Sequence, residues 1–408
     1  MSIEADDRWA MLSRAAAHLD APAAVLDLDA FDANAEDLVA RADGLPIRVA
    51  SKSVRCREML RRVLARPGFS GVLAYTLGEA IWLVRTGTCD DVVVGYPTAE
   101  PGALAQLCRD PQLAGAVTLM IDSPEQLDLV DAVVPPHRRP DLRVSLDLDC
   151  SLRLGPAVLG ARRSPVRTPE QAEAAAEHIV ARPGFRLVGV MGYEAQIAGV
   201  ADRRRTGPAA RPDELIVRCM KALSVRDLRT RRPAMVEAVR RRADLEFVNG
   251  GGTGSLESTG AGGECTELAA GSGLYGSHLF DGYRGFRPRP AAAFCLRVVR
   301  RPAHDVVTVQ GGGWIASGAV GSDRQPLPVS PPGMRLMPAE GAGEVQTPLR
   351  CTAEVPRIGD LTWWRHAKAG ELCEHVDELH LFDDGRLGGA VPTSRGESPV
   401  FLGAGPGG

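Results

Sequence analysis

The sequence predicts an α/β protein built as a (β/α)₈ TIM-like barrel followed by a mostly-β C-terminal domain. Three observations carry that expectation. Eight short apolar runs alternate with helical stretches over the first 254 residues. These runs are nearly continuous hydrophobes instead of strict alternations, as expected of parallel strands covered on both faces. Beyond Tyr283 the alternation stops, and short runs separated by Gly, Pro and Asp turns take over.

The runs, in order, are AAVLDLD (23–29), IRVASK (47–52), GVLAYT (71–76), DVVVGYP (91–97), AVTLMID (116–122), LRVSLDLD (142–149), RLVGVMGYE (186–194) and EFVNGGGTG (246–254). Stretches rich in Ala, Leu, Glu and Arg lie between them, among them FDANAEDLVARA and PEQAEAAAEHIVARP. Eight units is the barrel number, and a span of about 265 residues favours the barrel over an open doubly wound sheet. The spacing breaks once, between Glu194 and Glu246, where an Arg-rich helical insertion is expected. RGFRPRPAAAF reads as a linker, and AFCLRVVRR, DVVTVQGG, LTWWRH, DELHLF and GGAVPT read as strands of the second domain. The expected boundaries are an N-terminal segment over 1–21 that packs on the β domain, a barrel over 22–285 and the β domain over 286–408. The Gly-rich end GAGPGG is expected to fray.

Composition narrows the function. A formal net charge of −3 gives no basic excess, so neither a nucleic-acid nor a polyanion partner is expected. The Arg203–Arg205 run reads as a solvated face. No apolar run is long enough to cross a bilayer, and MSIEADDRWAMLSRAAAHLD lacks the apolar segment of a secretory leader. Nine cysteines without CxxC pairs read as reduced thiols, which makes the cytoplasm the expected compartment. Of the 48 basic residues only Lys52, Lys221 and Lys368 are lysines, so a catalytic amine has three candidates.

In a (β/α)₈ barrel the reactive side chains lie at the carboxyl ends of the strands. Lys52 ends IRVASK and would point into the barrel mouth, where partial burial and the basic neighbours Arg48 and Arg55 would make it a usable amine. A surface lysine at a strand end is the plain alternative. The last run ends in Asn249-Gly250-Gly251-Gly252-Thr253-Gly254-Ser255, and consecutive glycines let backbone N–H groups converge on an anion. Arg153, in DLDCSLRLG, could face a ring nitrogen or a carboxylate, or simply pair with Asp147 or Asp149. Tyr193, in GYEAQ, could stack on a ring or be an ordinary aromatic of the barrel rim.

Taken together, P-A-A-V-L-D-L-D, R-V-A-S-K-S and G-G-G-T ahead of a β domain resemble the fold type III pyridoxal phosphate (PLP) enzymes. These include alanine racemase and, closer, the D-threonine aldolase and D-serine dehydratase group. The resemblance spans roughly Pro22 to Leu402. It implies that Lys52 carries the cofactor as a Schiff base, that Arg153 lies near its ring and that Tyr193 contacts it. It further implies that Gly251, Gly252 and Thr253 bind the phosphate with Tyr275 nearby. Alanine racemases place a catalytic tyrosine in the β domain, but no tyrosine follows Tyr283 here. The aldolase and dehydratase group instead carries a metal pair, written H-x-D or H-x-C, matched by His375-Val376-Asp377. On a strand, residues i and i+2 share a face, so both could reach one Mn²⁺, Mg²⁺ or Zn²⁺ ion, with His375 catalytic through it. Cys373 would be a third ligand or core, and His366 and Lys368 would face the site or form a salt-bridged surface.

The activity implied is retro-aldol cleavage of D-configured β-hydroxy-α-amino acids to glycine and an aldehyde, or the reverse condensation. D-serine dehydratase chemistry, giving a 2-oxo acid and ammonia, is the alternative from the same parts. A non-catalytic PLP carrier and a PLP-free phosphate-binding barrel are readings from other classes. A homodimer is expected from the family alone.

Overall fold

The computed structural model describes residues 3–203, 210–319 and 321–397. Arg204, Arg205 and the GAGPGG end fall outside them.

Eight parallel strands close a barrel: β2 (Ile47–Ala50), β3 (Phe69–Ala74), β4 (Val92–Val94), β5 (Val117–Ile121), β6 (Leu142–Asp147), β9 (Phe185–Gly192), β10 (Phe247–Gly250) and β11 (Glu267–Ala270). β1 (Ala23–Asp27) is not among them, which corrects the expected strand count. It pairs antiparallel with β12 (Ala292–Ala303) and parallel with β18 (Glu378–Asp383), inside the C-terminal sheet. The eighth barrel strand is β11, a four-residue ELAA run not anticipated from the sequence. Each run read as a barrel strand therefore moves down one place, and Lys52 follows the first barrel strand, not the second. β7 (Leu152–Leu154) and β8 (Ala157–Leu159) form a separate hairpin.

Inside the barrel, Val93, Met120, Val188, Met191 and Phe247 make a buried cluster. Gly189 is required there, because a Cβ on it would stand 2.2 Å from the Phe247 ring. Near the other end of the barrel Arg48 of β2 pairs with Glu267 of β11 at 2.7 Å and with Asp91 at 2.9 Å, tying two adjacent strands together. The outer helices follow local signals. Pro169–Val180 opens with a Thr168/Gln171 capping box and Pro at its first turn. The Arg-rich stretch is not an insertion but the outer helix Ala210–Arg240 that joins the adjacent parallel strands β9 and β10.

The C-terminal sheet also contains β13 (Val306–Gln310), β14 (Leu327–Ser330), β15 (Met334–Leu336), β16 (Gln346–Cys351), β17 (Leu361–Arg365) and β19 (Arg386–Pro392), with β1 between β12 and β18. The N-terminal helix Ile3–Ala15 lies on it, with Trp9 against Trp363 at 6.0 Å. The nine cysteines are unbridged. Among the described residues no helix is long and apolar enough to cross a membrane.

Candidate active site

Lys52 lies in a 3₁₀ turn, Ser51–Ser53, directly after β2. Two supports fix that turn. From below, Ser51 Oγ donates to Glu79 Oε2 at 2.8 Å. From the side, Arg55 Nε donates to the Lys52 carbonyl at 2.9 Å. Val54 N–H closes the turn on Ser51 O at 2.8 Å. The β domain reaches the same spot: a Cβ on Gly370, at φ +81°, would strike the Lys52 carbonyl oxygen at 2.0 Å. The Lys52 side chain is exposed, and its Nζ donates to the Tyr96 hydroxyl at 3.1 Å. Arg48 and Arg55 do not act as free positive neighbours, because Arg48 is neutralised by Glu267 and Asp91, and Arg55 pairs with Glu374.

Tyr96, two residues past β4, was not foreseen as a site residue. Its signal was present, since it closes DVVVGYP at the carboxyl end of a barrel strand. The Arg163 guanidinium lies 5.3 Å from the Tyr96 ring and 5.8 Å from the Tyr193 ring. Burial pushes the Tyr96 phenol up, but Lys52 and Arg163 outweigh it and hold it below the ordinary tyrosine value. Arg163 also faces Asp147, whose carboxyl is pushed up to about 7 by burial and by Asp122.

On the far side of Tyr193 lies the Gly-rich loop after β10. A Cβ on Gly252 would meet Tyr193 Cε2 at 3.2 Å, so ring and loop are in close approach. Lys52, Tyr96, Arg163, Tyr193 and Gly252 thus form one continuous rim. Burial pushes the Tyr193 phenol up to about 12. Thr253 Oγ1 accepts from Gly273 N–H and Ser272 Oγ, each at 3.1 Å. The N–H groups of Thr253 and Gly254 have no partner among the described residues. Two unpaired amides on a glycine loop, and an exposed amine across the mouth, fit the phosphate and aldehyde ends of PLP.

Four expected site residues, Arg153, Tyr275, His375 and Asp377, lie outside this rim. Arg153 lies on the β7–β8 hairpin with its side chain 51% exposed, paired to Asp149 at 3.2 Å. Tyr275 is fully buried, and its hydroxyl donates to the Val54 carbonyl at 2.7 Å, under the lysine turn. His375 and Asp377 are not on a strand: His375 ends the 3₁₀ turn Glu371–Glu374, and β18 begins at Glu378. The His375 ring stacks on Trp314 at 4.9 Å and 4°. Asp377 is exposed and pairs with Arg395 at 3.0 Å. Cys373 is core, its thiol directed to the Val54 carbonyl at 3.5 Å. His366 is buried edge-on to Tyr275, and Lys368 Nζ donates to Ser317 O and Oγ at 3.1 Å. Among the described residues no three His, Cys, Asp or Glu side chains converge to hold an ion. As placed, the His375 ring is held against Trp314 and the Asp377 carboxylate is engaged by Arg395.

Residues 26–278 match the family described as alanine racemase, N-terminal domain. The chain belongs to this family. Within the alanine racemase N-terminal domain family, a D-threonine aldolase of Arthrobacter sp is 28% identical over 307 residues, 72% of each chain. A 3-hydroxy-D-aspartate aldolase of Paracoccus denitrificans (strain Pd 1222) is 26% identical over 259 residues, 62% of this chain and 60% of that one. A D-threonine aldolase structure from Filomicrobium marinum shares the fold with TM-score 0.76 at 21% identity, covering 93% of this chain and 96% of the other. A D-threo-3-hydroxyaspartate dehydratase from Delftia sp. HT23 shares it with TM-score 0.68 at 20% identity, covering 92% and 98%.

Proposed function

We propose that this protein is a PLP-dependent lyase that cleaves the Cα–Cβ bond of D-configured β-hydroxy-α-amino acids, releasing glycine and an aldehyde, or runs the reverse condensation. The observation that carries the reading is the exposed Lys52 amine, fixed at the barrel mouth across from a glycine loop with two unpaired amides. The relatives at 26–28% identity, both aldolases of β-hydroxy-D-amino acids by name, support it.

Bound PLP supplies a sink for the electron pair released when Cα–Cβ breaks. The protein's own groups do the rest. Lys52 Nζ is the amine that anchors the cofactor. Tyr96, whose phenol Lys52 and Arg163 make more acidic, takes the proton from the β-hydroxyl oxygen through its own phenolate oxygen. The C–O bond then becomes the aldehyde carbonyl as Cα–Cβ breaks, and the proton returns to Cα to give glycine. Tyr193 and the loop amides of Thr253 and Gly254 hold the cofactor's ring and phosphate in that geometry.

The full reading includes a cytoplasmic homodimer and a divalent ion on His375 and Asp377. Asp377 must release Arg395 to bind an ion, and no step above passes through one.

The test is incubation with D-threonine, D-serine and 3-hydroxy-D-aspartate, with Mn²⁺ or with EDTA. Glycine plus an aldehyde is expected. A 2-oxo acid plus ammonia would replace the aldolase by the dehydratase reading. A visible absorbance band from bound PLP is expected in the native protein and not in Lys52→Ala; a band that persists in the variant refutes the role of Lys52.

A further inference from the structure

The Ala210–Arg240 helix, which joins β9 to β10, has no part in the chemistry above, yet one of its side chains reaches the glycine loop. Arg232 is 3% exposed. Its Nη1 lies 3.4 Å from Glu194 Oε2, and its Nε pairs with Glu264. The guanidinium is pressed against the ends of two neighbouring strands: a Cβ on Gly250 of β10 would stand 3.2 Å from Nη1, and one on Gly192 of β9 would stand 3.4 Å from Arg232 Cδ.

Glu194 is 1% exposed and is wrapped in donors. Its Oε2 accepts Gly251 N–H at 3.2 Å. Its Oε1 accepts Ser255 Oγ at 3.2 Å and also Thr259 Oγ1. Ser255 Oγ in turn accepts Gly252 N–H at 3.1 Å. One buried carboxylate therefore fixes the two glycines that precede Thr253, and leaves the next two amides, those of Thr253 and Gly254, unpaired. A buried carboxylate beside an anion site needs a facing positive charge, and Arg232 supplies one that Glu194 shares with Glu264.

We propose that Glu194 and Arg232 are positioning residues for the cofactor's phosphate, Glu194 setting the glycine loop and Arg232, from the outer helix between β9 and β10, placing a positive charge against it. The proposal rests on the reading that this loop takes the PLP phosphate. A purely structural role would weaken all ligands alike. A phosphate-specific role must distinguish PLP from pyridoxal, which has the same ring and aldehyde but no phosphate.

The experiment is titration of the cofactor-free protein with PLP and with pyridoxal, followed by absorbance, for the native chain, Arg232→Met and Thr259→Val. Removing the positive charge that faces Glu194 in Arg232→Met weakens PLP by about tenfold or more and pyridoxal by less than about threefold. Thr259→Val removes one donor to Glu194 without touching a charge, so it decides the matter if Arg232→Met does not fold. It weakens PLP by about three- to tenfold with pyridoxal unchanged. Equal losses for both ligands, or an unchanged preference for PLP, overturn the proposal. A native chain that binds neither ligand overturns the cofactor reading itself, a separate result.

Discussion

Glu79 gives the sharpest test of how the lysine turn is held. It is fully buried, and its Oε2 accepts both Tyr75 N–H at 3.0 Å and Ser51 Oγ at 2.8 Å. Its Oε1 has no partner among the described residues. Burial pushes the carboxyl from 4.5 up to about 7, against the lowering effect of those hydrogen bonds and of Arg55. Between those two values the folded chain holds a proton that the unfolded chain has lost. Native stability therefore falls as pH rises from 4.5 through about 7, and is level above it. A shift of that size is worth about 3 kcal/mol in all. Glu79→Gln keeps an acceptor for Tyr75 and Ser51 and cannot ionise, so it escapes the loss. Urea unfolding of the cofactor-free native and Glu79→Gln proteins at pH 5 and pH 8 measures the difference. The variant should gain about 2–3 kcal/mol on the native protein between the two values. Parallel behaviour of the two proteins over that range would refute the account of Glu79 as a buried, proton-holding carboxyl.

Tyr96→Phe should lower kcat by about 10²–10³-fold with little change in KM, and abolish the fall in kcat/KM that accompanies protonation of the phenolate as pH drops. Retention of that limb in the variant would assign the proton transfer to another group. Arg395→Ala frees the Asp377 carboxylate from an exposed ion pair. Mn²⁺ binding measured by calorimetry should then tighten by about two- to fivefold. Unchanged affinity would show that Arg395 does not compete with the ion.

The features legible in the sequence were those with local causes. IRVASK placed Lys52 at a strand end, GGGT placed a loop with spare amides, and the Arg-rich stretch formed its helix. The features missed depend on partners distant in the chain. β1 is buried at all five positions, as any strand covered on both faces is, so its pattern could not reveal which sheet it joins. β11, four residues including two alanines, carries too weak a pattern to stand out. Arg153 stands on the short hairpin strand just before the turn at Gly155, and His375 follows the turn opened by Gly370 at φ +81°. In both cases a short motif matched while the backbone that aims its side chains did not. Arg232 was hidden differently, since it acquires meaning only through Glu194, 38 residues away, whereas Tyr96 stood visibly at a strand end and lacked only its link to Lys52.

The placement of β1 has a topological consequence. Asp27 is its last residue, and the same side chain caps the next helix, accepting Ala30 N–H at 2.8 Å. One residue thus ends a strand of the C-terminal sheet and starts the first outer helix of the barrel. The barrel is spliced into the β sheet, entering after β1 and leaving before β12. No single cut separates the two lobes: a fragment starting at residue 286 lacks a central strand, and β12 and β18 would face an empty slot about 10 Å wide. The lobe that reaches Lys52 through Gly370 is therefore completed only when both ends of the chain are present.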